Sequence, residues 1–247
     1  VIKKLVANMQ VTKFRPWKLE AVFGARSDAD MAGMQISCGG RKLSFDGVID
    51  RIDKYKDNAI IIDYKSKHSI DFTPSDIFYG DRIQLFVYLN ALLSSGNITP
   101  RGVFYLLMNN RFVKSGDAVE KRYMFNGFVN SQDASDLDKG FAGDGEYESG
   151  VYPIKKVVQN GEDAYFAQKQ GFVMNKEQFD TTLNYVMRLT SKAAKEIEEG
   201  YIAKSPLNIQ ADSRRQACNY CDYKSVCARS KVYTRNVKAL GLDDFIE

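Results

Sequence analysis

Histidine is nearly missing from this chain: His68 is the single one in 247 residues. A centre built on two or more histidines is therefore excluded, and His68 itself reads as a loop residue rather than a ligand or base. No apolar run approaches the roughly twenty residues of a membrane-spanning helix. No secretory leader pattern opens the chain. No Walker-type glycine loop occurs, so an ATP site of that kind is not expected here. The first residue is Val rather than Met, as expected for a fragment of a longer polypeptide. Cysteine is scarce too, at four residues, but three of them fall within ten positions. Without a secretory leader, that bunching fits a metal or cluster site better than disulfides.

What is present is ordinary for a globular chain: 44% hydrophobic and 27% charged residues. The length allows one large domain or two small ones with a sizeable core. The net charge of +4 is unevenly spread. Residues 131–150 hold six acidic residues against one Lys, a net of −5, which leaves +9 on the rest. From Lys204 to Lys238 eight basic residues face two Asp. A basic segment of this kind suits contact with a polyanion, and a solvated charged surface accounts for it equally well.

The most informative stretch reads as a β-hairpin. Phe45 to Tyr55 and Ala59 to Lys65 are rich in β-branched and aromatic residues, and Lys56-Asp57-Asn58 supplies the turn. Alternation along the second strand puts Asp63 and Lys65 on one face and Tyr64 on the other. A carboxylate and an ammonium at the end of an Ile60-Ile61-Ile62 strand are costly unless paired or bound to something. If Asp50 meets Asp63 across the hairpin, two carboxylates and a lysine converge. That set can hold a hard divalent cation and position a water for phosphodiester hydrolysis. Asp53, three residues past Asp50, turns to the other face and is expected to pair with Arg51 or Lys54.

Elsewhere the pattern predicts a helix over residues 1–10, a strand from Pro16 to Phe23 carrying Glu20, and a hairpin of Met34–Cys38 with Lys42–Val48 about Gly39-Gly40. Lone Cys38 reads as a small core residue. Residues 71–80 read as a polar connection broken by Pro74 and Gly80. Asp81 to Ser95 is a largely buried helix on which Gln84 and Tyr88, four apart, share a face and need polar partners. Arg101 to Met108 is a strand buried on both faces. Arg122 to Val129 is a further strand, and Asn130 to Gly150 an exposed or partly disordered loop. Val151–Gln159 and Ala164–Gln168 form a hairpin around Asn160-Gly161. Asn175 and Gln178 form a capping box for a helix ending at Gly200. The tail from Tyr201 to Glu247 is loop-rich and basic. Strands, helix, strand, with the helix crossing back to the same sheet, make an α/β core.

In the tail, Cys218-x-x-Cys221 with Cys227 further on gives three sulfurs able to reach one soft metal. Three ligands complete neither a zinc site nor a cubane.

Together, GVIDRID, Asp63-x-Lys65 in DYKS, QLFVY and the late CNYCDYKSVC resemble the PD-(D/E)xK nuclease superfamily, and within it the AddB-type nuclease domains of bacterial helicase–nucleases. The resemblance runs from about Phe14 to Cys227. It implies a restriction-endonuclease-like fold: a mixed central sheet flanked by helices, a β-rich and loop insertion, and a cysteine-containing tail. Residues 1–247 then form one nuclease domain, with its core at about 14–109, the insertion at about 110–172 and the C-terminal helix and tail at about 173–247. It implies Mg²⁺ or Mn²⁺ held by Asp50, Asp63 and the main-chain carbonyl of Tyr64, with Glu20 as a further candidate ligand. Lys65 would orient or help deprotonate the attacking water. Gln84 and Tyr88 would order the DNA backbone or the metal's surroundings. Cys218, Cys221 and Cys227 would ligate a [4Fe–4S] cluster whose fourth cysteine lies upstream of Val1, with structural zinc as the rival. The implied setting is the bacterial cytoplasm, on unwound or single-stranded DNA, beside an AddA-like helicase–nuclease subunit in double-strand break repair.

Other readings stand beside this one. A CRISPR-associated adaptation nuclease shares the metal and cysteine motifs, but the long 109–172 insertion and the GVIDRID form weigh against it. A DNA-binding or scaffolding module with a decayed site would not need Asp50, Asp63 and Lys65 intact. An iron–sulfur interaction domain would not need the Asp-x-Lys strand.

Overall fold

The computed structural model describes residues 2–38, 40–67, 69–108, 123–168, 171–209, 217–223, 225–227 and 234–246. His68 lies outside them, as does the side chain of Cys38. In chain order the elements begin with α1 (Ile2–Val11), β1 (Arg15–Gly24), β2 (Met31–Ala32), β3 (Met34–Cys38) and β4 (Arg41–Phe45). Then come β5 (Gly47–Tyr55), β6 (Asn58–Lys65), α2 (Pro74–Tyr79), α3 (Gln84–Leu93), β7 (Thr99–Leu107) and β8 (Asn126–Asn130). Next are α4 (Ala134–Leu137), β9 (Tyr147–Glu148), β10 (Ile154–Gln159), β11 (Glu162–Ala167) and β12 (Gly171–Met174). The long helix α5 (Lys176–Glu198), β13 (Leu207–Ile209), β14 (Arg235–Val237) and α6 (Asp243–Ile246) complete the order.

Seven strands form one mixed sheet in the order β12-β8-β7-β6-β5-β1-β2. β5 and β6 are the expected antiparallel hairpin, with Arg51 opposite Ile62. β6 and β7 run parallel, joined by a crossover through α2 and α3. β8 and β12 extend the sheet beyond β7.

The period of two along β6 sorts side chains into two cores. Ala59 and Ile61 join a cluster with Leu85, Phe86 and Leu89 of α3 and Phe179, Leu183 and Val186 of α5. Ile60 and Ile62 pack on the other face with Phe14, Phe104, Leu137, Phe141, Tyr152 and Ile154. β6 is thus buried on both sides, which explains its unbroken isoleucine run.

Several local expectations shift. The strand read over Lys42–Val48 is split at Asp46, whose carboxylate accepts from Ala25 N and Ser44 Oγ. Residues 71–80 are not only a connection, because Thr73 donates from N and Oγ1 to Asp76 at 2.7 and 2.9 Å and starts α2. Pro74 is its first residue, where a missing N–H costs nothing, and Gly80 closes it in the left-handed region at φ 78°. The next helix starts at Gln84 rather than Asp81, because the amides of Asp81 and Arg82 both turn back to Asp76 O.

The acidic stretch 130–150 is ordered. Leu137 and Phe141 are buried, and Asp138, 1% exposed, accepts from Gly140 N, Ser149 Oγ and Tyr147 Oη. Asn160 and Gly161 both take positive φ between β10 and β11, as a two-residue hairpin turn requires. The capping box of α5 is reciprocal: Gln178 N donates to Asn175 Oδ1 and Asn175 N to Gln178 Oε1, each at 2.9 Å.

Candidate active site

The C-terminal end of β6 carries the chemistry. Asp50 and Asp63 fall opposite one another one step beyond the Arg51–Ile62 pair. The main-chain N–H of Tyr64 donates to Asp50 Oδ2 at 2.9 Å, which binds the Asp50 carboxylate beside Asp63. The Asp63 side chain is only 4% exposed. The Lys65 ammonium lies 2.7 Å from Asp63 Oδ2 but off the hydrogen-bonding angle, and that oxygen has no hydrogen-bond donor among the described residues. Burial first, and then the neighbouring charge of Asp50, push the Asp63 carboxyl up, against the pull of Lys65. Two carboxylates close enough to raise one another, one with an orphaned buried oxygen, make a site short of positive charge.

β7 supplies the far wall. Tyr105 stands in register with Asp63. Its ring lies 5.4 Å from the Lys65 ammonium and meets Phe72 edge-on at 5.0 Å. Burial holds the Tyr105 phenol well above its ordinary range, and Asp63, Arg82, Asp76 and Tyr88 all act on it. Arg82 is tied down by a bond from Nη1 to Asp71 O at 2.5 Å. Neither Tyr105 nor Arg82 stands out in the sequence. A tyrosine inside an apolar strand and an arginine before a helix carry no signal until the crossover brings them to β6.

Gln84 and Tyr88 do share one face of α3, with Gln84 Nε2 donating to Tyr88 Oη at 2.6 Å. The Tyr88 ring packs edge-on against Phe23 of β1 at 5.6 Å. The polar partner each requires is the other, and the pair stands at the rim rather than on the carboxylates. Glu20 lies between Leu19 and Ala21, which pair with Arg51 and Ile49, so it stands opposite Asp50 in β1. It is exposed and takes φ 48°, uncommon for a glutamate within a strand. Asp53 does turn to the other face, where Arg51 Nε and Nη2 each reach its carboxylate at 2.6 Å.

Cys218 sits in a short turn at Ala217–Tyr220; with Cys221 and Cys227 it is half-buried and free of disulfides. Among the described residues, no three His, Cys, Asp or Glu side chains gather as a ready-made metal cage. The donors at β6 fit a divalent cation on other grounds, the orphaned Asp63 Oδ2 and its clamped partner. The cysteines have the right chemistry for a soft metal and no further geometric argument.

A mixed sheet with helices on one face, an Asp-x-Lys strand at its centre and a second carboxylate across the hairpin define a nuclease core. The chain belongs to the PD-(D/E)XK nuclease superfamily, whose family model matches residues 3–228. Curated relatives, all B-subunits of ATP-dependent helicase/deoxyribonucleases, are similar over nearly its whole length. The protein from Lachnoclostridium phytofermentans is 31% identical, over 98% of this chain and 21% of its own length. That of Alkaliphilus metalliredigens is 29% identical over 98% of this chain and 22% of its own, and that of Alkaliphilus oremlandii 28% over the same shares. The chain is thus an AddB-like nuclease domain, spanning about a fifth of the length of the curated relatives it matches. Among the described residues no helix is long and apolar enough to cross a membrane.

Proposed function

We propose that this chain is a divalent-metal-dependent deoxyribonuclease domain, acting as an exonuclease on unwound or single-stranded DNA. The observation that carries the reading is Asp63 Oδ2, buried without a donor among the described residues, beside an Asp50 carboxylate held by the Tyr64 amide. Asp50, Asp63 and the Tyr64 carbonyl would hold Mg²⁺ or Mn²⁺, and Glu20, across β1 from Asp50, is the candidate for a further oxygen. Few protein ligands suffice for such an ion, because it keeps several waters. When bound, the cation polarises the phosphodiester and lowers the pKa of a water.

The chain's own groups do the rest. Lys65, held over the Tyr105 ring, sets one positive charge where the phosphate gains negative charge and orients the attacking water. Arg82, anchored on Asp71, adds a second cation on the α3 side. Gln84 and Tyr88, locked to one another, present amide and phenol to the DNA backbone. By similarity to its relatives the domain works within a longer helicase–nuclease polypeptide in the cytoplasm, paired with an AddA-like partner, in double-strand break repair by recombination. Cys218, Cys221 and Cys227 would there share a [4Fe–4S] cluster with a fourth cysteine.

The test is cleavage of end-labelled single-stranded DNA with Mg²⁺ or Mn²⁺. Asp63→Ala and Lys65→Ala are each expected to lower the rate by about 100-fold or more while the circular dichroism spectrum stays unchanged. Full activity in Asp63→Ala overturns the assignment.

A further inference from the structure

A groove of about 390 Å³ runs along the side of α5, outside the carboxylate site. Its floor is apolar, from Ile83 and Leu189. Its walls come from three separate parts of the chain: Tyr79 at the end of α2, Lys192 and Glu196 on α5, and Tyr201, Ser205 and Arg235 from the tail.

The walls are held in place. Tyr79 Oη donates to Lys238 O at 3.0 Å, which fixes its ring and the tail together. Arg235 Nε donates to Ser205 O at 3.4 Å, and Arg235 N to Pro206 O at 2.9 Å. Tyr201 N donates to Glu196 O at 2.8 Å, yet the Tyr201 side chain is 60% exposed. An amphipathic ring held out in water by its own backbone is a surface on which a base can stack. Glu196 stands 3.9 Å from Lys192, beyond hydrogen-bonding distance, so the ammonium keeps its donors.

A groove with cations on two walls and aromatic rings between them has the make-up of a single-strand site. The tail around Arg235 is net basic, with eight Lys or Arg against two Asp from Lys204 to Lys238. The groove also abuts the active site in sequence and in space. Ile83 in its floor is flanked by Arg82, which acts on Tyr105, and by Gln84, which bonds Tyr88.

We propose that this groove binds a nucleotide of the single-stranded substrate a short distance from the cleaved bond, its phosphate between Lys192 and Arg235 and its base on Tyr201. The inference rests on the reading of the chain as a nuclease acting on DNA. It makes the α5–tail face the track along which the strand reaches Arg82 and Lys65.

Binding is measured by fluorescence anisotropy of labelled oligothymidylate with the 247-residue chain in excess chelator, so that no cleavage intervenes. Tyr201→Ala is expected to weaken affinity by about tenfold and Tyr201→Phe to restore it, because the ring and not the hydroxyl stacks. Lys192→Ala with Arg235→Ala is expected to weaken it further and to flatten the salt dependence by the loss of two phosphate contacts. Lys155→Ala, an exposed lysine on β10 across the central sheet, serves as the control and leaves affinity unchanged.

No measurable binding by the unaltered chain overturns the proposal. So do groove variants that match the unaltered chain, or a Lys155→Ala loss as large as theirs. The nuclease reading fails separately, if Asp63→Ala keeps cleaving with Mn²⁺, and that result leaves the binding measurement intact.

Discussion

Asp53 and Asp63 differ by ten positions and by one strand, yet burial sets both against ionisation and the protein answers in opposite ways. Asp53 is pushed up by burial but receives a two-pronged guanidinium from Arg51. Asp63 is pushed up by burial, sees Lys65 at a poor angle, and keeps an oxygen bare among the described residues. One is a structural pair; the other has room for a cation. Asp53→Ala leaves Arg51 buried and unpaired, so it is expected to cost about 3 kcal/mol of stability. Chemical denaturation of the metal-free chain measures it. Cleavage per folded molecule is expected to persist, in contrast to Asp63→Ala, and a selective loss of cleavage in a fully stable Asp53→Ala protein would sink this division of roles. That division is legible in the sequence, because strand alternation alone separates Asp50 from Asp53. Tyr105 and Arg82 are not, since their roles arise only when β7 comes to lie beside β6.

Among the elements, α5 shows how short signals can suffice. Asn175, Gln178 and Gly200 mark its ends, and the structure has the reciprocal cap and a left-handed Gly200 at φ 72°. Asn175→Ala removes one acceptor from the first turn and is expected to destabilise the fold by about 1 kcal/mol, read as a lower midpoint in urea. Where the sequence pattern and the elements part, the cause is competing chemistry. Pro74 reads as a breaker in isolation but begins α2, because Thr73 and Asp76 build the cap around it. The 130–150 stretch looks disordered by composition. Its order comes from single residues, Leu137, Phe141 and the three-way acceptor Asp138, that no window average detects. The Asn160-Gly161 turn is legible because both of its residues must take a backbone few others tolerate.

At the scale of the whole molecule, the two cores leave phenols inside on both faces of the sheet. Tyr105, Tyr147, Tyr152, Tyr165 and Tyr185 are all held above the ordinary value of 10, by burial first, Tyr147 to about 12. Below pH 10 these groups are protonated folded or unfolded, and their contribution is fully present. As pH climbs past 10 the unfolded chain ionises first, and stability falls through the window up to the raised values. Unfolding is expected to set in above pH 10, with tyrosinate absorbance rising in step with the loss of ellipticity. Absorbance that titrates smoothly near pH 10 in a chain that stays folded would contradict it.

The tail is bound to α2 across most of the chain's length: Tyr79 Oη to Lys238 O, and Ser75 Oγ accepting from Leu240 N at 2.7 Å. On the ribosome, this bond has a schedule. Asp50, Asp63 and Lys65 are translated together and can meet as soon as the hairpin closes, whereas β14 emerges some 170 residues after Lys65. The carboxylates are therefore assembled on a nascent chain that still lacks the wall bearing Arg235. The domain acquires its cutting centre early and its grip on the strand last.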